Sequence, residues 1–137
     1  MAIRIGINGF GRIGRQVAVI ARAFGMNVIA HDTVEDHAWA AQHQVRYVSL
    51  DELLEKSLAV TVHLPYTKKT ENILSRDRLL QMKKGSYLLN TCRGEVVDET
   101  ALYDVLSNGH LGGAALDVYH KEPYVGPLAT LPNVFLC

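Results

Sequence analysis

The sequence has 137 residues, a length typical of one domain. Lys and Arg together number 14, as do Asp and Glu, so the formal net charge is zero and no basic surplus exists for binding nucleic acid through its phosphates. Hydrophobic residues make up 48% of the chain, which indicates a folded protein rather than a disordered one. No apolar run reaches the length of a membrane span, and the opening residues lack the pattern of a signal peptide. Two cysteines without metal-ligand spacing favour a cytoplasmic protein.

Short apolar runs alternate with longer amphipathic stretches along the whole chain. The apolar runs predict strands at 3–8, 27–32, 46–48, 59–63, 87–90, 113–118 and 134–136. The amphipathic stretches predict helices at 13–24, 33–42, 49–56, 75–82 and 98–107, with Thr33, Ser49 and Asp98 among their capping residues. This alternation predicts an α/β fold with a doubly wound parallel sheet of six to seven strands between two helical layers, which is the Rossmann fold. We expect residues 1–137 to form a single domain.

A glycine-rich turn follows the first predicted strand and opens the first predicted helix. Gly9, Gly11 and Gly14 match the pattern G-x-G-x-x-G of dinucleotide-binding proteins. In that pattern the first glycine permits a tight turn, the second leaves room for a pyrophosphate, and the third lets the helix pack close to the strand. Free N–H groups at the helix start then face the anion. A turn that merely packs is the alternative interpretation.

An acidic residue, Asp32, ends the second predicted strand at about the distance that the fingerprint expects, roughly 20 residues after the third glycine. Its carboxylate can accept hydrogen bonds from the adenosine ribose and would repel a 2′-phosphate, so the pattern predicts NAD rather than NADP. Alternatively, Asp32 stabilises the start of the next helix beside Thr33. The two roles can coexist.

Eight further segments share their order and spacing with one family. They are 23–28, 48–54, 63–67, 82–85, 90–98, 113–119, 122–123 and 131–134. Through them the chain resembles the NAD-binding domain of the D-2-hydroxyacid dehydrogenases. The opening, residues 5–15, is instead similar to the start of glyceraldehyde-3-phosphate dehydrogenases, which indicates a chimeric, designed, reconstructed or excised sequence.

The resemblance implies a set of cofactor contacts at the carboxyl ends of strands, where an open α/β sheet binds its ligand. The implied contacts are Arg12 and Ile13 at the pyrophosphate, Asp32 at the adenosine ribose, Leu64 and Pro65 at the adenine, Thr70 near the phosphates, Thr91, Cys92 and Arg93 at the nicotinamide ribose, and Asp117 at the nicotinamide amide. From the residues alone, 63–65 is equally a strand end with a turn, and Asp117 a helix cap or turn residue.

The resemblance also implies catalytic groups, and here the chain departs from the family. Arg93 matches the arginine that binds the substrate carboxylate, which suits its planar fork of donors. Glu122 matches the glutamate that tunes a catalytic histidine, but that histidine would follow the last strand and is absent from the sequence. His120 is a conceivable substitute, although an exposed loop histidine is the favoured interpretation. The remaining histidines have no metal-ligand spacing.

Three hypotheses follow from these observations. The first is a module that binds NAD(H) and transfers little or no hydride by itself, because the substrate-binding domain of the family is not encoded. The second is a minimal dehydrogenase of 2-hydroxy acids that uses Arg93 and Glu122. The third is a purely structural protein with a vestigial cofactor site. We further expect a homodimer, since members of the resembled family associate through this domain.

Overall fold

Five helices and seven strands alternate in the computed structural model, which describes residues 3–137. Residues 1 and 2 of the predicted domain lie outside the described residues. The strands are β1 (Arg4–Asn8), β2 (Asn27–His31), β3 (Val45–Tyr47), β4 (Ala59–Val62), β5 (Tyr87–Asn90), β6 (Gly113–Leu116) and β7 (Val134–Leu136). The helices are α1 (Arg12–Ala23), α2 (His37–Gln42), α3 (Leu50–Lys56), α4 (Arg76–Gln81) and α5 (Glu99–Ser107). Short 3₁₀ turns lie at Gly94–Val96 and Pro127–Thr130.

All seven strands form one parallel sheet in the order β3-β2-β1-β4-β5-β6-β7. The chain therefore builds outward from β1 to β3, returns to the centre, and builds outward again from β4 to β7. This arrangement confirms the predicted doubly wound sheet. It also creates a switch point between β1 and β4, and the crevice outside the carboxyl ends of such strands is where open α/β sheets bind ligands.

The two faces of the sheet carry separate apolar cores. One core, to which Ile29, Val60 and Leu88 belong, lies beneath α3, α4 and α5. The other, to which Ile7 and Val28 belong, lies beneath α1 and α2. Successive side chains of a strand point to opposite faces, so β2 contributes to both cores at once. Parallel strands need this double cover, which explains their nearly continuous apolar sequences.

One part of the α1 side of the sheet stays open. A row of register partners leads from Ile7 through Thr61 and Leu89 to Ala115 and Phe135. Its first member is fully buried, whereas Phe135, at the far edge, is 68% exposed. We call the part of this face formed by Tyr87, Leu89, Ala115 and Phe135 the open face.

The structure corrects the predicted start of the second helix. Thr33 does not cap it, because α2 begins at His37 and the side chain of Asp36 accepts the hydrogen bond from the Trp39 N–H at 3.1 Å. Residues 32–36 instead form a loop, whose first carboxylate, that of Asp32, is occupied by nearby backbone N–H groups.

The other predicted caps agree with the structure. Ser49 caps α3 by accepting from Glu52 N–H at 3.1 Å, and Asp98 caps α5 by accepting from Ala101 N–H at 3.1 Å. Satisfying these orphan donors locally fixes where each helix begins. The strand ends, and with them the loops of the site, are thereby held in place.

Candidate functional site

The glycine-rich turn joins β1 to α1 at the switch point of the sheet. Gly9 has a φ of 97°, a conformation that side chains disfavour, and an added Cβ would meet the carbonyl of His63. A Cβ at Gly14 would press on the carbonyl of Gly9. At Gly11, by contrast, a Cβ would meet no heavy atom of residues 3–137 within 4 Å apart from its adjacent backbone. The fold therefore needs Gly9 and Gly14, whereas Gly11 leaves space that the fold itself does not use.

The Asp32 carboxylate, directly after the neighbouring strand β2, lies against this turn. Its Oδ2 accepts a hydrogen bond from Phe10 N–H at 2.7 Å, and its Oδ1 accepts from Thr33 N–H at 2.7 Å. Because each carboxylate oxygen offers two lone pairs, Oδ2 keeps one for a further donor. The residue holds the turn and remains able to accept a hydroxyl from a ligand.

An open groove of about 390 Å³ runs between the turn and the ends of β4 and β5. The groove brings together nine of the residues predicted to contact a cofactor, together with one that was not predicted. Its lining residues are Gly11, Arg12, Ile13, Gly14, His63, Leu64, Pro65, Thr91, Cys92 and Arg93. The first turn of α1 contains no acidic residue, so its N–H groups face the groove without a competing carboxylate.

His63 is the lining residue that the sequence interpretation missed. Its Nε2 lies 2.9 Å from Thr61 Oγ1, and partial burial lowers the pKa of the ring below its ordinary 6.5. The ring is therefore neutral at physiological pH, because the desolvated site disfavours the charged form. The signal was present in the segment 63–65, where only Leu64 and Pro65 were assigned contacts.

Asn90 organises the loop after β5 and was also missed. This residue is 1% exposed; its Oδ1 accepts from Cys92 N–H at 3.2 Å, and its Nδ2 donates to the Arg93 carbonyl at 2.9 Å. Gly94 follows, and an added Cβ there would collide with the backbone of Tyr119. A buried polar side chain at a strand end is the sequence signal for such a loop, since it must find partners.

Comparison with known proteins agrees with this geometry. Residues 2–137 match the family described as the NAD binding domain of D-isomer specific 2-hydroxyacid dehydrogenases. The chain belongs to this family.

Relatives of this NAD-binding domain are substantially longer proteins. The glyoxylate reductase of Korarchaeum cryptofilum is 42% identical over 134 residues, which are 96% of this chain and 40% of the reductase. The crystal structure of an NAD-dependent formate dehydrogenase from Staphylococcus aureus in complex with NAD superposes with a TM-score of 0.90 at 38% identity, covering 100% of this chain and 42% of that one. An acyclic imino acid reductase in complex with NADPH and D-Arg gives a TM-score of 0.88 at 38% identity, covering 98% and 42%. The chain thus spans about two-fifths of the length of these proteins.

Other predicted site residues of this NAD-binding domain lie outside the groove. Asp117 and Glu122 line a second cleft of about 330 Å³ near Cys137. His120 lines neither the groove nor the second cleft, and its Nε2 is 2.6 Å from the Val97 carbonyl. These positions separate the two predicted catalytic groups into different openings, with Arg93 in the groove and Glu122 in the second cleft.

Thr70 serves its own loop. Its hydroxyl donates to the carbonyl of Pro65 at 2.6 Å and accepts from Thr67 N–H at 2.8 Å. The residue does not line the groove, but it fixes the segment that presents Leu64 and Pro65 there.

Residues 3–137 contain neither a metal site nor a membrane-spanning helix. No cluster of three or more His, Cys, Asp or Glu side chains there has the arrangement of a metal site. No helix in the same range is both long and apolar enough to cross a bilayer.

Proposed function

We propose that this domain binds NAD(H) in the groove at the switch point and prefers it to NADP(H). The observation that carries the proposal is the combination of the unfilled space at Gly11 with the Asp32 carboxylate beside the same turn. A dinucleotide needs a pocket for its pyrophosphate and an acceptor for its adenosine ribose. The space at Gly11 supplies the pocket, and the Asp32 carboxylate supplies the acceptor. Both cysteines are free thiols, which supports a reducing compartment such as the cytoplasm.

The pyrophosphate fits the start of α1. This helix has 12 residues, and Gly11 is its N-cap without a side-chain hydrogen bond, so backbone N–H groups remain available to an anion. Arg12 lines the same groove and adds positive charge. The nicotinamide end would then lie towards Thr91, Cys92 and Arg93, at the other end of the groove.

Preference for NAD(H) rests on charge. A 2′-phosphate would approach the Asp32 carboxylate, which is already held by two backbone N–H groups and cannot swing away without breaking both. The NADPH-bound imino acid reductase shows that this fold also accommodates the phosphorylated cofactor, so the proposed preference depends on Asp32 rather than on the fold.

Substitution of Asp32 tests the proposal. A hydrogen bond to a charged group is worth about 1.5–3 kcal/mol, so we expect Asp32→Ala to weaken NADH binding by roughly one to two orders of magnitude. The difference in affinity between NADH and NADPH should narrow in the same variant, because the carboxylate that repels the 2′-phosphate is lost. Calorimetric titration with NADH and NADPH measures both effects.

Glu35→Ala is the matched control for this titration. Glu35 is an exposed acid of the same loop whose partner is His37, at 2.8 Å, so its removal should change NADH affinity little. If the Asp32 variant binds both cofactors as the unsubstituted chain does, Asp32 has no part in the site. A chain that shows no saturable NADH binding at all would favour the purely structural hypothesis.

We further propose that two copies associate through the open face. An apolar groove of about 450 Å³ crosses β5, β6 and β7 there, and in the described part of the chain none of its lining residues is charged. On the same side of the sheet, Ile20 of α1 is 58% exposed, and Phe24, which follows the last residue of α1, is 78% exposed. Large apolar patches are rarely left uncovered on monomeric proteins, and a standard interface buries about 800 Å² on each partner.

Light scattering tests this association, and we expect a species of twice the chain's 15.2 kDa at millimolar concentration. Phe135→Lys should shift it to the monomer, because it would bury a charge in the interface. Val125→Lys is the matched control, since Val125 is 93% exposed and lies outside the open face. A monomer at every concentration, or equal effects of the two substitutions, would contradict the proposed interface.

A further inference from the structure

We propose that Arg15 is a positioning residue, which fixes the loop carrying Asp32 and so sets both the affinity and the selectivity of dinucleotide binding. We call residues 32–36 the ribose loop. The inference rests on the proposed function, since it deepens the account of how that same site recognises the adenosine ribose.

Arg15 joins three parts of the structure that surround the ribose loop. Its Nη1 donates to Asp36 Oδ2 at 3.0 Å, at the end of the loop. Its Nε donates to the carbonyl of Phe10 at 3.4 Å, within the glycine-rich turn. Its guanidinium carbon lies 5.3 Å from the ring centre of Trp39, which belongs to α2. One side chain therefore connects the turn, the loop and the following helix.

The ribose loop is held at both ends by this arrangement. At its start, Asp32 accepts from Phe10 N–H, and at its end Asp36 pairs with Arg15. The same peptide segment, around Phe10, is contacted from both sides, since its N–H meets Asp32 and its carbonyl meets Arg15. Between the two anchors the loop is exposed, with Val34 77% accessible. Without Arg15, the second anchor depends on the Trp39 N–H and the Tyr47 hydroxyl alone, so the end of the loop is held less firmly.

The electrostatics of Asp36 agree with this role. The pKa of its carboxyl is lowered, first by the hydrogen bond from Trp39 N–H and further by Arg15, so it remains ionised at neutral pH. Asp36 N–H also donates to Tyr47 Oη at 3.0 Å. The anchor is thus attached to β3 as well as to α1 and α2.

An arginine suits this position better than a lysine does. The planar guanidinium presents several N–H donors in fixed directions and can lie over an aromatic ring at the same time. A lysine ammonium keeps the charge but lacks that planar fork. Arg15→Lys should therefore recover only part of the function.

Nothing in this geometry requires Arg15 to contact the cofactor. Arg15 does not line the groove that contains Arg93, but an adjoining opening that shares Gly11 and Arg12 with it. The distinction between acting through Asp32 and binding a phosphate directly is experimentally accessible, because the two roles predict different coupling with Asp32.

The test is a double-mutant cycle on NADH and NADPH affinity with Arg15→Met, Asp32→Ala and the double variant, measured by calorimetry well below the unfolding temperature of each. We expect Arg15→Met to weaken NADH binding by about two- to fivefold, the scale of a partly exposed ion pair. The ratio of the affinity for NADH to the affinity for NADPH should fall in the same variant. A merely structural role of Arg15 would leave this ratio unchanged. In the Asp32→Ala background, Arg15→Met should have no further effect.

Two companions keep the test decisive. Asp36→Asn preserves the cap of α2 but removes the ion pair, so it should reproduce the effect of Arg15→Met even if that variant folds poorly. Arg22→Met is the matched control, because Arg22 also lies on α1 but bonds the Met26 carbonyl and Gln44, away from the loop.

The possible outcomes distinguish a failure of the proposed NAD(H) binding from a failure of the positioning role of Arg15. If the unsubstituted chain binds no NADH, the proposed function fails and the role of Arg15 fails with it. If NADH binds but Arg15→Met leaves affinity and selectivity unchanged, only the positioning role is overturned. Additive losses in the double variant would also overturn it, since they would mean that Arg15 acts independently of Asp32.

Discussion

Gly11→Ala is expected to abolish most dinucleotide binding while leaving the fold intact. Gly11 has a φ of −84°, which alanine adopts without strain, and beyond its adjacent backbone the new Cβ would meet no atom of the described chain within 4 Å. The methyl group would occupy the space proposed for the pyrophosphate and hold it away from the N–H groups of α1. Losing even one such charge-assisted hydrogen bond costs about 1.5–3 kcal/mol, so we expect NADH affinity to fall by roughly 100-fold.

Gly14→Ala is the matched comparison for this prediction, one turn further along the same helix. Its Cβ would press on the Gly9 carbonyl, so the variant should lose stability, by about 1–3 kcal/mol for an overpacked site. Thermal unfolding and NADH titration of both variants separate the two effects. Gly11→Ala that unfolds early, or that binds NADH normally, would show that the open space does not belong to the cofactor.

Turnover of simple 2-oxo acids by the 137-residue chain is expected to stay at or near background even with NADH bound. Hydride delivery creates an alkoxide that must receive a proton, and a positioned general acid contributes about 10²–10⁴-fold in rate. Among the described residues that line the groove, the histidine is His63, whose lowered pKa leaves it neutral and a poor acid. The groove is also open to water on one side, so the substrate is not enclosed.

The measurement is the loss of NADH absorbance with pyruvate, hydroxypyruvate or glyoxylate as substrate. Any residual rate should depend on Arg93, which lies in the groove and is the cation that the family motif assigns to the substrate carboxylate. Arg46→Ala is a suitable control, because Arg46 lies on β3 outside the groove and pairs with Glu52 of α3 at 3.1 Å. Robust turnover that survives Arg93→Ala would favour a minimal dehydrogenase with a different catalytic group.

Most of the fold could be predicted from the sequence because its determinants are local. The strand β5 and the helix α5 coincide with the predicted ranges or differ by the cap alone, since Asp98 marks a helix start unambiguously. The second helix was misjudged because Thr33 and Asp36 are both good caps. Which of them acts depends on Asp32, whose carboxylate occupies the Thr33 N–H, and that competition is a tertiary effect.

The candidate site was less predictable than the fold. The glycine spacing pointed to the turn, but sequence spacing does not reveal that Thr70 bonds the Pro65 carbonyl instead of facing the groove. Nor does it reveal that Glu122 and Arg93 face different openings. Both facts depend on how the loops fold, which the periodicity of the strands and helices does not encode.

The packing of Gly94 against the backbone of Tyr119 has a consequence for redesigning this domain. The segment with Arg93 and the segment with Asp117 come from different strands, yet no side chain fits between them. An insertion or deletion near Tyr119 would therefore displace Arg93 as well, although the two are far apart in sequence. Changes of loop length that are harmless in an ordinary surface turn would here alter the groove at Arg93 and the second cleft at Asp117 together.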